Sequence, residues 1–265
     1  MPPILDPNKT VRILTKNFLD ADTTIVSSHA GTTSYLWDRD VNTLWQTAGF
    51  MARRDQTEIT LTITFNVGTV ETQFTANTIM FLNNNLNFVK LESWNGSAWE
   101  EVFQDYVPAA SHDHVWYFGE RTTSRMRITM LGTKQENKQK EIGELVIART
   151  RYLMSTGMTS FQANYKQKVS MYEVADGGLR IAYTRAPGSR VARYGAVVTF
   201  DRITREDYEF LLALKNEGEP FLWYPESAQY PGEVWLVQWV NPFTAMYSHQ
   251  MTTAGYTVTM ELQEI

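Results

Sequence analysis

Apolar and polar residues alternate with a period of two along much of the first half of the chain. From residue 58 to 67 every second residue is apolar, namely Ile59, Leu61, Ile63, Phe65 and Val67. This pattern is typical of a strand with one buried face. Similar runs cover 77–82, 87–94, 125–131 and 141–148. Their short spacing predicts an all-β sandwich over residues 1–150.

A turn signal separates two of these runs. Asn95-Gly96 supplies the residue types that a type I′ turn requires, and Trp94 and Trp99 flank it. The sequence therefore predicts a tight hairpin here.

The pattern changes after residue 150, where we predict a second domain over 151–265. Two extended runs, 168–174 and 179–185, surround Asp176-Gly177-Gly178, which indicates a hairpin. Further strands are predicted at 194–200, 221–224, 234–240 and 256–262.

One helix is predicted within this second β domain, over about 204–216. Thr204 is its expected N-cap, with Asp207 at N3, and Ile203 and Tyr208 are placed for a hydrophobic staple. Gly218 and Pro220 end it.

Three short motifs of the first half occur in an informative order. They are Asp38-x-x-x-x-Thr43-x-Trp45, then Asn95-Gly96-x-x-Trp99, then Glu144-Leu145. This order resembles discoidin-like domains, which are also called galactose-binding-like or factor 5/8 C-type. The resemblance covers about residues 20–150 and implies a jelly-roll β-sandwich. Arg39 stands where the family usually has glycine, so we expect the backbone geometry that accompanies a structural calcium ion to be absent.

The second half resembles distal-tail and minor-tail proteins of bacteriophage tail tips and baseplates. The matching segments are a strand ending at 197–200, the helix at 204–214 and the Pro-Phe-Leu-Trp-Tyr-Pro element at 220–225. The resemblance implies a split β-barrel with one helix that assembles in a ring. The predicted fold class is therefore mainly β, with a discoidin-like sandwich followed by a split β-barrel.

Composition limits the function classes. The chain has 265 residues, 43% of them hydrophobic, with 13 Phe, 13 Tyr and 8 Trp, which is ample material for two packed cores. A net charge of -5 argues against nucleic acid as a partner. The absence of cysteine fits folding in a reducing cytoplasm, and no run is long and apolar enough to predict membrane insertion or a signal peptide.

No catalytic motif was found, and we predict that the chain is not an enzyme. His112-Asp113-His114 is the one metal-like cluster, and a polar loop after Pro108 is the preferred interpretation because no third ligand is identifiable.

Calcium is the only cofactor that we consider. Asp38-x-Asp40-x-Asn42 fails as an EF-hand because Thr43 and Gly49 occupy its glycine and glutamate positions. The discoidin resemblance implies instead a structural calcium ion near Asp38 and Glu144. Arg39 argues against it, and the alternative is a turn in which Asp38 bonds to its own backbone.

Aromatic residues provide the other candidate sites. Trp45 and Trp99 could stack on a sugar, but core positions are the preferred interpretation. In the second half, Trp223, Tyr224, Trp235 and Trp239 are candidates for an oligomer interface, because aromatic residues are enriched at interface cores and a split barrel leaves strand edges to pair.

Two functions follow. The first is a structural virion protein, made in the host cytoplasm, that forms a trimeric or hexameric ring in the tail and contacts neighbouring tube, hub or fibre proteins. The alternative is a glycan-binding adhesin whose sandwich binds host-surface saccharide while the second domain oligomerises.

Overall fold

A computed structural model describes residues 11–29, 31–40, 42–47, 57–155, 158, 160–167, 170–173, 180–183, 192–225, 234–248 and 254–265. Antiparallel strands dominate these residues. The mainly β fold predicted from the sequence is confirmed. No helix in the described ranges has the length and apolar character needed to span a membrane.

Within the described residues up to position 148, the chain forms twelve strands and a 3₁₀ turn at Thr33–Leu36. In chain order the strands are β1 Arg12–Leu14, β2 Thr24–Ser27, β3 Trp45–Gln46, β4 Ile59–Thr64, β5 Asn66–Val67, β6 Val70–Glu71, β7 Phe74–Asn84, β8 Leu86–Trp94, β9 Trp99–Tyr106, β10 His114–Thr123, β11 Arg125–Thr133 and β12 Glu141–Ala148.

Nine strands and one helix follow. They are β13 Thr150–Leu153, β14 Ser160–Gln167, β15 Ser170–Glu173, β16 Arg180–Tyr183, β17 Ala192–Ile203, α1 Arg205–Glu217, β18 Phe221–Tyr224, β19 Trp235–Trp239, β20 Ala245–Ser248 and β21 Gly255–Glu264.

Two sheets form a sandwich. The outer sheet has the order β2-β4-β11-β8-β9 and the middle sheet the order β10-β7-β12-β3. Alternating residues such as Ile59, Leu61 and Ile63 fill a core between them, together with Trp45 and Phe81. This is the sandwich that the period of two predicts.

A third, large sheet has the order β13-β1-β18-β19-β21-β17-β14, and β20 pairs with β21. It packs on the second face of the middle sheet through a core that includes Met80, Val146 and Tyr224. Helix α1 covers its other face through Leu211 and Leu214. The layers therefore run from outer sheet to middle sheet, large sheet and helix. Central strands buried on both faces explain the near-continuous apolar runs of β12 and β18.

The large sheet is open. Among the described strands no pairing joins β13 to β14, the two ends of its order. Strand β1 comes from the N-terminal end of the chain, yet it pairs with β13 and β18. The predicted division at residue 150 stays a prediction, and β1 belongs with the sheet of the second half.

Several local predictions are confirmed. The observed helix begins at Arg205, after an N-cap Thr204 whose side chain accepts a hydrogen bond from the Asp207 amide at 3.1 Å, and Gly218 ends it with a φ of 68°. Strands β15 and β16 pair as the predicted hairpin, whereas its turn at 176–178 lies outside the described residues.

The type I′ turn is a wrong prediction. Four residues separate β8 from β9, and of Asn95 and Gly96 only Gly96 has a positive φ. The Asn95 side chain instead accepts hydrogen bonds from the amides of Ser97 and Ala98, both at 2.9 Å, which stabilises a wider loop.

Candidate functional site

A cleft of about 520 Å³ lies between the middle sheet and the large sheet. Its floor is apolar, with Leu82 and Val146 from the middle sheet and Leu222 and Leu236 from the large sheet. This volume is in the range of small-molecule sites, which combine an apolar lining with a few polar groups.

The rim of the cleft comes from two loops and a strand end. The loop after β1 supplies Lys16, Asn17 and Asp20, and the segment after the 3₁₀ turn supplies Trp37, Asp38 and Arg39. Glu264 and Ile265 close the side formed by the end of β21.

Asn17 fixes the first loop. Its side-chain amide donates to the Leu145 carbonyl at 2.9 Å, and its side-chain oxygen accepts from the amides of Leu19 and Ile147 at 3.1 and 3.0 Å. The loop therefore bonds along β12, which places Lys16 and Asp20 at the cleft.

Asp38 fixes the second segment. Its Oδ1 accepts from the Asp40 amide at 2.9 Å and its Oδ2 accepts from the Thr43 hydroxyl at 2.5 Å. This is the self-bonded turn that the sequence offered as the alternative to calcium.

Arg39 adopts a φ of 64°, the left-handed region that favours glycine. Arginine thus adopts a backbone conformation that glycine favours, and the expected absence of the geometry that accompanies a structural calcium ion stays a prediction. Its Nη1 donates to the Ile265 carbonyl at 3.3 Å, which joins the segment to the end of β21.

Both predicted calcium ligands, Asp38 and Glu144, line the cleft. Both carboxylate oxygens of Asp38 accept hydrogen bonds within its own turn. In the described ranges no group of three or more His, Asp or Glu side chains is arranged to hold a metal ion. The residues present do not make a calcium cage by themselves. Calcium stays a prediction of the resemblance.

The two candidate stacking tryptophans have different positions. Trp45 is fully buried in the sandwich core, as expected. Trp99 belongs to none of the described cores and pairs with Trp94 on the outer sheet. The core interpretation is therefore wrong for Trp99, because it pairs with Trp94, on the face of β8 opposite the core residues Val89 and Leu91.

The four candidate interface aromatics lie in the large sheet. Trp223, Tyr224 and Trp239 are 0%, 0% and 5% exposed, and they pack in the chain's own cores, whereas Trp235 is half-buried. Their interface role stays a prediction. For the three buried rings it would require the domain to open.

The histidine pair lies at the end of the sandwich. The His112 carbonyl accepts from the Asn84 side chain at 2.7 Å, and the side chain of His112 is exposed. His114 is half-buried in β10 against Trp116, with ring centroids 4.3 Å apart.

Comparison with known proteins gave structural similarities only. No family model and no curated protein matches the chain. A family 32 carbohydrate-binding module of Clostridium perfringens NanJ, in complex with galactose, is 14% identical, with a TM-score of 0.43 over 51% of this chain and 98% of that one. Another such module, from a family 31 glycoside hydrolase of Clostridium perfringens, is 22% identical, with a TM-score of 0.36 over 56% of this chain and 94% of that one.

A Ruminococcus gnavus GH29 fucosidase in complex with fucose is 14% identical, with a TM-score of 0.41 over 51% of this chain. The match spans 27% of the fucosidase chain. None of these similar structures is a tail protein. At TM-scores of this size the similarity assigns no function to this chain.

Proposed function

We propose that this chain is a glycan-binding protein that holds saccharide in the cleft between the middle and large sheets. The observation that carries the proposal is the position of Trp37 in a concave site among side chains of both hydrogen-bonding types. Lys16 and Arg39 are donors, and Asp20, whose bonds within its own turn use only Oδ1, is an acceptor.

A saccharide matches this mixture. Each sugar hydroxyl both donates and accepts, and the C–H face of the ring is apolar enough to pack on an indole. Lys16 makes no ion pair with a carboxylate of the described residues, and Arg39 uses Nη1 for Ile265, which leaves its other N–H groups for a ligand. A ligand of one charge sign fits less well, because the rim carries both signs.

The test is a glycan array with the full chain, followed by calorimetry with the saccharides that bind. Trp37→Ala should weaken binding about tenfold, which is the upper range of an aromatic contact. Lys16→Ala, an exposed change, should weaken it without altering thermal unfolding. The matched control is Tyr35→Ala, because Tyr35 is exposed nearby and does not line the cleft.

If Trp37→Ala fails to fold, its unfolding curve will show this. Binding by the exposed variant Lys16→Ala then decides whether the cleft holds the saccharide. If no glycan binds the parent chain, or if both cleft variants bind as the parent does, the proposal is wrong.

A structural role in a phage tail tip is the second candidate. The observation that favours it is strand β14, which ends the large sheet and pairs only with β17 among the described strands. A free edge of this kind can pair with a neighbouring copy. Light scattering across a dilution series tests it. A trimer or hexamer supports a ring, and a monomer at every concentration contradicts self-assembly of the isolated chain.

A further inference from the structure

The solvent face of the outer sheet carries two aromatic pairs. Trp94 and Trp99 are directly opposite across β8 and β9, with ring centroids 5.3 Å apart, and Phe88 and Tyr106 are opposite at the other end, 5.2 Å apart. None of these four rings belongs to a core of the described residues, and Tyr106 is 68% exposed. Phe88, Trp94 and Trp99 are half-buried, and the Arg127 guanidinium carbon lies 4.6 Å from the Trp99 ring centre. Partly exposed aromatic area is thus present at two points of one face.

The side chains between the two pairs neutralise one another. Glu92 accepts from Arg127 Nε at 2.7 Å and lies 3.0 Å from Lys90 Nζ, and Glu101 lies 3.8 Å from the same Lys90 nitrogen. These four side chains, Lys90, Glu92, Glu101 and Arg127, form a strip of two cations and two anions in contact. It offers no net charge to an ionic partner, but it keeps polar atoms at the surface.

Hydroxyl groups extend this strip over the neighbouring strands. Thr62 pairs with Arg127, and Thr60 pairs with Thr129, so these threonines share the solvent face of the strip. All three threonines are partly exposed. The centre of the face is therefore polar, uncharged in sum and rich in groups that both donate and accept.

The distance between the pairs decides the size of the ligand. Trp94 and Phe88 lie on β8 six residues apart, which is about 20 Å along a strand. A single sugar ring cannot contact both pairs. A chain of several sugars laid along the hairpin can place one ring at each pair and its hydroxyls on the strip between them.

We propose that the solvent face of the outer sheet is a second glycan site, which binds a linear, uncharged polysaccharide. It shares the ligand class of the proposed function but uses none of the cleft residues. The neutral, hydroxyl-rich strip favours this occupant over a charged polymer.

The experiment is native affinity electrophoresis of the full chain in gels that contain one neutral polysaccharide. The polysaccharides are neutral cellulose derivatives, glycol chitin, mixed-linkage β-glucan and xylan. We expect at least one neutral polymer to retard the chain. Trp99→Ala and Tyr106→Ala should each weaken retardation about tenfold, and Trp99→Tyr should restore most of it. Tyr35→Ala, which lies in neither the cleft nor the outer sheet, should leave it unchanged.

Calorimetry with mono- to hexasaccharides of the retarding polymer completes the test, and affinity should rise until a chain spans both pairs. Equal affinity for the monosaccharide, or retardation lost in Trp37→Ala and kept in Trp99→Ala, overturns this second site while the cleft proposal stands. No retardation by any neutral polymer also overturns it. A change of molecular mass in Trp99→Ala or Tyr106→Ala would assign the face to self-association instead.

Discussion

The guanidinium carbon of Arg12 lies 3.9 Å from the centre of the Tyr117 ring. Arg12 is on β1 of the large sheet and Tyr117 on β10 of the middle sheet, so this cation–π contact joins two layers. Arg12 is 6% exposed, and burial lowers the pKa of its guanidinium while the phenol oxygens of Tyr117 and Tyr224 oppose that shift. No carboxylate of the described residues forms an ion pair with it.

Two substitutions of Arg12 distinguish the stability that its packing and cation–π contact contribute from the free-energy cost of burying its charge. Arg12→Met keeps most of the volume and removes the charge, so we expect the free energy of unfolding to stay the same or to rise. Arg12→Ala leaves a cavity between the layers and should lower it by about 2 to 4 kcal/mol. Urea unfolding measures both. If the two variants are equally unstable, the cation–π contact rather than the packing holds the layers.

Arg39 gives a prediction about backbone strain. A non-glycine residue at a φ of 64° is strained, by about 1 kcal/mol. Arg39→Gly should therefore raise the free energy of unfolding, although it loses the hydrogen bond to Ile265, whereas Arg39→Ala keeps the strain and should not raise it. Denaturant titration of the three chains gives the order, and a glycine variant less stable than the alanine variant would contradict it.

The sequence predicts strand bounds well where the residues of the strand itself define them. β12 and β18 have the predicted bounds, because a short run rich in β-branched or aromatic residues favours a strand buried on both faces. The pairing of β1 was not predictable, since three residues carry no information about a partner near residue 222. Its place between β13 and β18 is a tertiary effect.

The same difference holds for the candidate site. Asp38 and Glu144 were singled out together and do line one cleft. The sequence does not predict Leu222 and Leu236 as site residues, because their position on the floor of the cleft depends on how the large sheet packs on the sandwich.

Trp99 lies outward because it pairs with Trp94, which alternates along β8 with the core residues Val89 and Leu91. A one-residue change of register would reverse the face of every side chain.

His114 predicts a pH dependence of stability. Burial lowers the pKa of its imidazole from the ordinary 6.5, Lys134 adds to this shift and Asp105 opposes it. The unfolded chain then binds the proton more readily, so stability falls as the pH drops from about 6.5 towards the folded pKa. Urea midpoints between about pH 7.5 and pH 5 should show a smaller decline in His114→Gln. His112→Gln, which removes an exposed imidazole, is the matched control, and an unchanged decline in His114→Gln would contradict the assignment.

The N-cap Thr204 at the start of helix α1 predicts a loss of stability when its hydroxyl is removed. Its hydroxyl oxygen accepts from the Asp207 amide at 3.1 Å, so Thr204→Ala should lower the free energy of unfolding by about 1 kcal/mol. Thr204→Ser keeps the oxygen and should recover most of that loss. Thermal unfolding distinguishes them, and equal loss in both variants would mean that the methyl group rather than the cap matters.

Glu92, on the outer sheet, predicts a further loss of stability in acid, at a lower pH than the loss predicted for His114. The hydrogen bond from Arg127 lowers the pKa of this carboxyl below 4.5, and Lys90 adds to the shift. Its contribution is therefore present above about pH 4.5 and disappears as the pH falls through the folded pKa. Glu92→Gln should cost about 1 to 3 kcal/mol at neutral pH, with a difference from the parent that shrinks towards zero in acid. Glu101→Gln, at the exposed end of the same strip, should cost less than about 1 kcal/mol. A Glu92→Gln difference that stays constant down to acid pH would mean that packing, and not the charge pairs, accounts for the loss.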